Sequence, residues 1–224
     1  MKKLVAFLIV AVMLITFAPF VSAEGKTLSF NSDGTFRIMQ INDFQDTDKT
    51  NGESLRFLEI ILDKYKPDLV VLAGDQLASD FKPEKVTEER IKTSLVNQLK
   101  PLADRNIPFL FTFGNHDREY WAVFNINKQA EFYREYPNCY ANTEGCDGST
   151  YNTLIYSSDK SKPCLNIYMM DSNYWNSDVN QNGVSEKQIQ WYIEKSKELA
   201  ELNGGIRCRL LFFSIYPLRK SISF

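Results

Sequence analysis

Short apolar runs alternate with longer segments of helical periodicity along the first half of this chain. Runs rich in Val, Ile, Leu and Phe lie at residues 35–41, 68–73 and 107–113. Between them, apolar residues recur three and four positions apart, which indicates amphipathic helices. Strands that are apolar on both faces are typical of a parallel sheet covered by helices. The pattern therefore predicts an α/β arrangement of strand, helix, strand, helix and strand, with right-handed crossovers.

The two crossover helices have recognisable ends. The first is predicted to begin at Ser54 as N-cap and to end at residue 65, before Pro67. The second is predicted over about 83–105, with an interruption near Pro101. The positions of the second helix expected to face the core are Val86, Ile91, Leu95, Val96, Leu99 and Leu102.

The remaining elements follow from alternation and turn signals. Residues 27–30 and 35–41 are predicted to form a hairpin, because Asp33-Gly34 between them is a strong turn signal. Ser185 with Gln188 resembles a capping box, which predicts a helix to residue 202 with Ile189, Tyr192 and Ile193 inward. The other predicted elements are a helix at 128–136 and strands at 150–156, 164–170 and 206–215.

Polar residues follow each of the three buried strands. Asp43 and Gln45 follow the first, Asp75 follows the second, and Asn115 and His116 follow the third. Parallel strands end at one edge of a sheet, so these side chains are expected to lie together. Singly, each is an ordinary turn or capping residue. Jointly, two carboxylates, amide oxygens and the single histidine of the chain suit a pair of divalent cations.

The three blocks resemble a known family. Asp-x-Gln, Gly-Asp-Gln and Gly-Asn-His-Asp, in this order, resemble the first three motifs of the calcineurin-like metallophosphoesterases, and most closely the purple-acid-phosphatase-related branch. Gln45 is a departure, because the first motif is more usually Asp-x-His. The sequence Gln-Asp-Thr at residues 45–47 nevertheless resembles one subgroup. The resemblance implies an α/β fold of the α+β type, a four-layer α/β/β/α sandwich of two mixed sheets, incomplete at the C-terminus.

The resemblance also implies a reaction and roles for six residues. The reaction is hydrolysis of a small-molecule phosphate ester by metal-activated water, with two divalent ions (Mn, Fe, Mg or Zn) as cofactors. His116 would act on the phosphoryl group or the leaving oxygen, with Asp117 orienting it. Beside them, Arg118 and Glu119 are expected to form a surface pair, with a contact from Arg118 to a phosphate oxygen as the alternative. The implied metal ligands are Asp43 and Gln45 for the first ion, Asn115 for the second, and Asp75 as the bridge.

Histidines that the family pattern places later are missing here. The family's strand after a Gly-Gly loop tends to be Phe-Phe-His-Ile-Pro-Leu, with the histidine as a metal ligand, whereas residues 212–218 are Phe-Phe-Ser-Ile-Tyr-Pro-Leu. A shift of one nucleotide near Phe213 would restore that histidine. We therefore expect a truncated product of a longer phosphoesterase gene. A catalytically inactive remnant or binding module of the same fold is the alternative to an enzyme.

Composition narrows the possible partners. The chain has 224 residues, of which 44% are hydrophobic and 24% charged, so one sizeable core is expected, in a single domain over 24–224. The formal charge of −2 leaves no basic surface for a nucleic-acid scaffold.

The N-terminus resembles a secretory signal. Lys2 and Lys3 precede an apolar segment at 4–17, and Val21-Ser22-Ala23 supplies a small-residue cleavage site. We expect a signal peptide over 1–23, cleavage after Ala23 and a secreted or extracytoplasmic protein. The alternative is an uncleaved anchor, the one expected membrane contact, but the apolar segment is short for a spanning helix.

Export permits disulfides among Cys139, Cys146, Cys164 and Cys208. Cys139 and Cys146 flank a short polar loop and could pair with each other. Cys164 and Cys208 adjoin strand-like segments, where free cysteines commonly pack as small apolar residues.

Overall fold

The computed structural model describes residues 27–78, 86–172, 174–176 and 181–216. The predicted signal segment and residues 217–224 lie outside this part of the chain. The strands are β1 (Leu28–Ser29), β2 (Ile38–Ile41), β3 (Leu69–Leu72), β4 (Phe109–Phe111), β5 (Tyr151–Tyr156), β6 (Pro163–Met169), β7 (Tyr174–Asn176), β8 (Gln181–Gly183) and β9 (Arg209–Phe213). The α-helices are α1 (Gly52–Tyr65), α2 (Glu88–Asp104), α3 (Trp121–Phe124), α4 (Ile126–Arg134) and α5 (Glu186–Leu202).

The three apolar runs form one parallel sheet in the order β2-β3-β4. β3 lies in the middle, where Val70 and Val71 have no exposed surface. Ile38 pairs with Leu69, and Val70 pairs with Phe109. The predicted parallel crossovers are therefore confirmed, and all three strands end at the same edge.

The second sheet has four strands in the order β1-β5-β6-β9. β5 and β6 are antiparallel, whereas β1 and β9 pair in parallel with their neighbours. Val71, Leu110 and Ile167 belong to the apolar cluster between the two sheets. The second sheet is therefore mixed, and its inner face is apolar because it packs on the parallel sheet.

Helices cover both outer faces. Leu62 of α1 and Leu99 of α2 pack in the cluster on the outer side of the parallel sheet, and Tyr192 of α5 packs against Tyr168 of β6. The four layers are thus helix, sheet, sheet and helix, and the predicted fold class is confirmed. The prediction of two mixed sheets is corrected in one respect, because the three-stranded sheet is parallel throughout. The described residues also include a small antiparallel sheet of β7 and β8.

The predicted hairpin at the N-terminus is wrong. The turn itself forms, because Gly34 donates its N–H to the Asn31 carbonyl at 2.9 Å and Asn31 donates to the Thr35 carbonyl at 2.9 Å. The flanking strands, however, join different sheets: β1 pairs with β5 and β2 with β3. Burial of Leu28 between the sheets outweighs the local pairing that the turn signal favours.

Two predicted helix features are also corrected. The N-cap of α1 is Asn51, whose side-chain oxygen accepts the N–H of Glu53 at 2.9 Å, so Ser54 lies inside the helix. Pro101 does not interrupt α2. The residues around it, Gln98, Leu99 and Leu102, are buried, and their packing holds the helix together despite the missing N–H.

The capping box of α5 is confirmed, with Ser185 and Gln188 bonding each other's backbone. Two residues predicted to face inward do not: Val96 is 40% exposed and Ile193 is 37% exposed. Each lies at the margin of its helix's apolar face, where spacing alone does not settle orientation.

None of the four cysteines forms a disulfide, so the possible Cys139–Cys146 pairing does not form here. Among the described residues, no helix combines the length and apolar character needed to cross a bilayer.

Candidate functional site

The loops that leave β2 and β3 are joined by backbone hydrogen bonds. Asp43 donates its N–H to the Gly74 carbonyl at 3.1 Å, and Gln45 donates to the Asp75 carbonyl at 3.1 Å. The predicted ligands Asp43, Gln45 and Asp75 are therefore neighbours at the carboxyl edge of the parallel sheet.

The loop that leaves β4 closes against Asp75. The His116 N–H donates to Oδ1 of Asp75 at 2.9 Å. A Cβ on Gly114 would overlap the Asp75 carboxylate and would lie 2.7 Å from its backbone nitrogen, and a Cβ on Gly74 would lie 2.6 Å from the nitrogen of Gly114. Glycines are needed at both positions because any side chain would push these loops apart.

Three predicted ligands adopt an unusual backbone conformation. Asp43, Gln45 and Asp75 have φ of 54°, 46° and 53°, in the left-handed region that costs an L-residue about 1–2 kcal/mol. Residues held in such conformations cluster at functional sites, where the surrounding structure compensates for the cost. Lys66, Asn106 and Lys160 share this conformation outside the site, so the strain supports these loop residues only in combination with the motif.

Asp117 does not orient His116, contrary to the prediction. It is 1% exposed, and its carboxylate accepts four backbone N–H groups, those of Asp75 at 2.8 Å, Gln76 at 3.0 Å, Leu77 at 3.2 Å and Gly114 at 2.8 Å. The second and third loops are thus bound to one buried carboxylate. The sequence suggested an imidazole partner because the two residues are adjacent, but their side chains diverge.

Burial raises the pKa of both Asp117 and Asp75. It raises the pKa of Asp117 to about 6, although the N–H groups of Gly114, Leu77 and Asp75 oppose this shift. Burial also raises the pKa of Asp75, while the N–H and the charge of His116 lower it and the charge of Asp43 raises it.

The imidazole of His116 is bound by Glu119 instead. Its Nδ1 lies 2.7 Å from Oε1 of Glu119. Burial lowers the pKa of His116, but the hydrogen bond to Glu119 and the carboxylates of Asp75, Glu119 and Asp117 outweigh burial, so the pKa is raised. Sequence reasoning paired Glu119 with Arg118 at the surface, and that pairing is wrong.

Arg118 pairs with Asp171, which sequence reasoning missed as a site residue. The Arg118 guanidinium donates to Oδ2 of Asp171, a fully buried carboxylate that also accepts from the Ser149 hydroxyl at 2.7 Å. The signal was present in the sequence, because Asp171 directly follows an apolar strand as Asp43 and Asp75 do. The pair therefore joins the third loop to the segment that follows β6.

Tyr216 is a second missed residue. Its hydroxyl donates to Oδ1 of Asn115 at 2.7 Å, and its N–H donates to the Ser172 hydroxyl at 2.9 Å. Oδ1 is the atom through which Asn115 would bind a cation. No local pattern pointed to this contact, because the two residues are far apart in sequence.

The donor set suits hard divalent cations in part. Carboxylate and amide oxygens at one edge are typical ligands of Mg²⁺ and Mn²⁺. Asp43 itself accepts from Asn42 and, at 3.4 Å, from Gln45. Within the described residues, no three His, Cys, Asp or Glu side chains are grouped to hold a metal, so amide oxygens would have to complete any site.

Comparison with known proteins agrees with the fold. The family model for calcineurin-like phosphoesterases matches residues 36–202. The chain therefore belongs to the calcineurin-like phosphoesterase family, and the resemblance seen in its motifs is confirmed.

Individual relatives include phosphatases and proteins named as inactive. The chain is 25% identical over 206 residues to probable inactive purple acid phosphatase 14 of Arabidopsis thaliana, covering 78% of this chain and 50% of that protein. It is 24% identical over 179 residues to phosphatase DCR2 of Saccharomyces cerevisiae, covering 70% of this chain and 30% of that protein. The chain thus spans at most half the length of these two relatives.

Proposed function

We propose that this chain carries the phosphate-binding edge of a metal-dependent phosphoesterase that hydrolyses small-molecule phosphate esters. One observation carries the proposal: Asp75 lies between the two neighbouring loops, because its backbone carbonyl accepts the Gln45 N–H and its carboxylate accepts the His116 N–H. Family membership supports hydrolysis as the class of reaction.

The chemical type of each residue suits it to a different proposed role. Asp43, Gln45, Asp75 and Asn115 would hold two divalent ions, whose charge would polarise a phosphoryl oxygen and acidify a water. His116 would donate a proton to the leaving oxygen. Asp117 would support the site through the backbone of both loops.

A metal-dependent assay tests the proposal. We expect turnover of an aryl phosphate that is stimulated by Mn²⁺ or Mg²⁺, and bound metal by elemental analysis. Asp75→Ala should abolish both, whereas Asp159→Ala, in an exposed turn, should leave both unchanged. A folded wild-type chain that binds no divalent metal would refute the proposal.

The alternative is a non-catalytic module of the same fold. Three observations favour it: the single histidine of the chain, the Tyr216 hydroxyl on the ligand oxygen of Asn115, and a relative named as an inactive purple acid phosphatase. Phosphate-analogue binding without turnover would select this alternative. Resequencing of the locus tests the frame-shift hypothesis separately.

We also propose that the protein is exported, with a signal peptide removed after Ala23. The proposal rests on the Lys-Lys start, the apolar segment and the small-residue site at 21–23. N-terminal sequencing of protein recovered from the medium or periplasm should begin at Glu24, and retention of residue 1 would contradict cleavage.

A further inference from the structure

The turn after β4 sends consecutive side chains in different directions. Residues His116–Arg118 form a single 3₁₀ turn, closed where the Glu119 N–H donates to the His116 carbonyl at 3.2 Å. Such a turn has three residues per revolution, so side chains three apart are eclipsed. Asp117 therefore points inward to the backbone of both loops, Arg118 reaches Asp171, and Glu119 lies over His116.

The contact between Glu119 and His116 defines where the imidazole carries its proton. Oε1 of Glu119 lies 2.7 Å from Nδ1, and an ionised carboxylate can only accept a hydrogen bond. Nδ1 must therefore be the donor. In the neutral ring this leaves the lone pair on Nε2, for which no hydrogen-bond partner occurs among the described residues.

We propose that Glu119 is a positioning residue that holds His116 in the Nδ1–H tautomer and turns Nε2 towards the phosphate-binding edge. The adjacent acid, Asp117, is excluded from this role because its two oxygens are bonded to backbone N–H groups of the loops. Asp75 bonds the backbone of His116 and not its ring. The pair of Glu119 and His116, here called the dyad, is independent of catalysis. Only its use on a substrate rests on the proposed function.

The dyad has a chemical consequence at the site. When the ring is protonated, Glu119 accepts one N–H and Nε2–H remains for an oxygen of the phosphate ester. Transfer of that proton breaks the Nε2–H bond, forms the O–H bond of the leaving alcohol and leaves His116 in the tautomer that Glu119 stabilises. The ring therefore need not rotate during a cycle, and this preorganisation is what a positioning residue contributes.

The single histidine of the chain makes the tautomer directly measurable. The measurement is long-range ¹H–¹⁵N NMR of uniformly labelled protein, in buffer alkaline enough to keep the ring neutral. The only imidazole signals in the spectrum then come from His116. We expect a protonated-type Nδ1 and a lone-pair-type Nε2 signal. In Glu119→Ala the pattern should reverse to Nε2–H, and Glu119→Gln, whose amide oxygen can still accept, should retain the Nδ1–H pattern.

A matched control is Glu131→Ala, an exposed glutamate on α4, which should leave the imidazole signals unchanged. An Nε2–H pattern in the wild-type chain, or an unchanged pattern in Glu119→Ala, would overturn the proposal. Because neither measurement requires metal or turnover, failure of the phosphoesterase proposal does not affect it. Where turnover is found, Glu119→Ala should lower kcat about 10- to 100-fold, with Glu119→Gln recovering most of the loss.

Discussion

At the scale of single residues, one buried carboxylate organises the candidate site. Asp117 accepts N–H groups from Gly114 and from the three consecutive residues 75–77. Backbone donors that converge in this way would be costly to leave unbonded. The residue therefore belongs to the architecture of the loops and acts on the chemistry only through them.

Asp117→Asn should destabilise the chain by about 3 kcal/mol, because the amide turns one acceptor into a donor facing buried N–H groups. Urea unfolding measures the change. Asp159→Asn, which alters an exposed turn acceptor, should cost less than about 1 kcal/mol. Equal effects of the two substitutions would contradict the role of Asp117.

The residues with positive φ at the site are predicted to lower the stability of the chain while contributing to metal binding. Gln45→Gly should relieve the strain of the φ of 46°. Because glycine also loses more conformational entropy on folding, the net increase in the free energy of unfolding should be about 0.5 kcal/mol. Lys160→Gly, at φ 60° in an exposed turn, should give a similar gain. Only Gln45→Gly should weaken Mn²⁺ binding, measured by calorimetry. Equal affinity in both variants would remove Gln45 from the ligand set.

Close approach at Gly114 gives a third prediction. Gly114→Ala places a methyl group on the Asp75 carboxylate, so it should destabilise the chain by about 1–3 kcal/mol and reduce metal affinity. Gly52→Ala is the matched control, since nothing lies within 4 Å of its added Cβ. Thermal melting in the absence and presence of Mn²⁺ separates the two effects. A silent Gly114→Ala would show that the two loops are farther apart.

At the scale of elements, an ion pair fastens the first loop to α2. Asp48 bonds the Arg90 guanidinium at 2.6 and 2.9 Å, with the two side chains 19% and 30% exposed. The hydrogen bond and charge of Arg90 outweigh burial and hold the pKa of Asp48 below its usual 3.8. The loop that carries Asp43 and Gln45 is thereby attached to a packed helix.

Asp48→Asn should destabilise the chain by up to about 1 kcal/mol at neutral pH. Since the folded-state pKa is depressed, this stabilisation is present above about pH 4 and is lost as the pH falls through the folded value. Urea unfolding of both chains at pH 7 and near pH 3 should show the difference shrinking in acid. Asp104→Asn, in an exposed pair with Lys100, serves as control and should change little at either pH. A difference that grows in acid would contradict this sign.

At the scale of the whole molecule, the two sheets differ in how completely they are covered. β3 is central and buried along its length, whereas β9 ends its sheet among the described strands, with Leu210 39% and Leu211 40% exposed. Local opening requires less energy where fewer apolar contacts are lost.

Hydrogen exchange should therefore rank the strands. We expect the amides of β3 and β4 to exchange only through global unfolding, and those of β9 to exchange faster, as measured by mass spectrometry of peptides from the intact chain. Peptides from α1, a packed helix outside the sheets, provide an internal reference. Protection of β9 equal to that of β3 would contradict the uneven coverage.

The sequence by itself determined the order of β2, α1, β3, α2 and β4, the parallel crossovers and the edge at which Asp43, Asp75 and Asn115 lie. Each of these follows from local periodicity and from the geometry of parallel strands, which hold whatever the rest of the chain does. Caps with a complete local motif, such as Ser185 with Gln188, were predictable for the same reason.

Only the tertiary structure decided which side chains meet. Burial of Leu28 between the sheets placed β1 and β2 in different sheets despite a hairpin turn. The 3₁₀ turn after β4 placed the His116 ring against Glu119 and the Asp117 carboxylate against the backbone of the loops. Arg118–Asp171 and Asn115–Tyr216 join residues far apart in sequence. Such contacts depend on competition for burial and for hydrogen-bond partners across the whole fold, which no stretch of sequence contains.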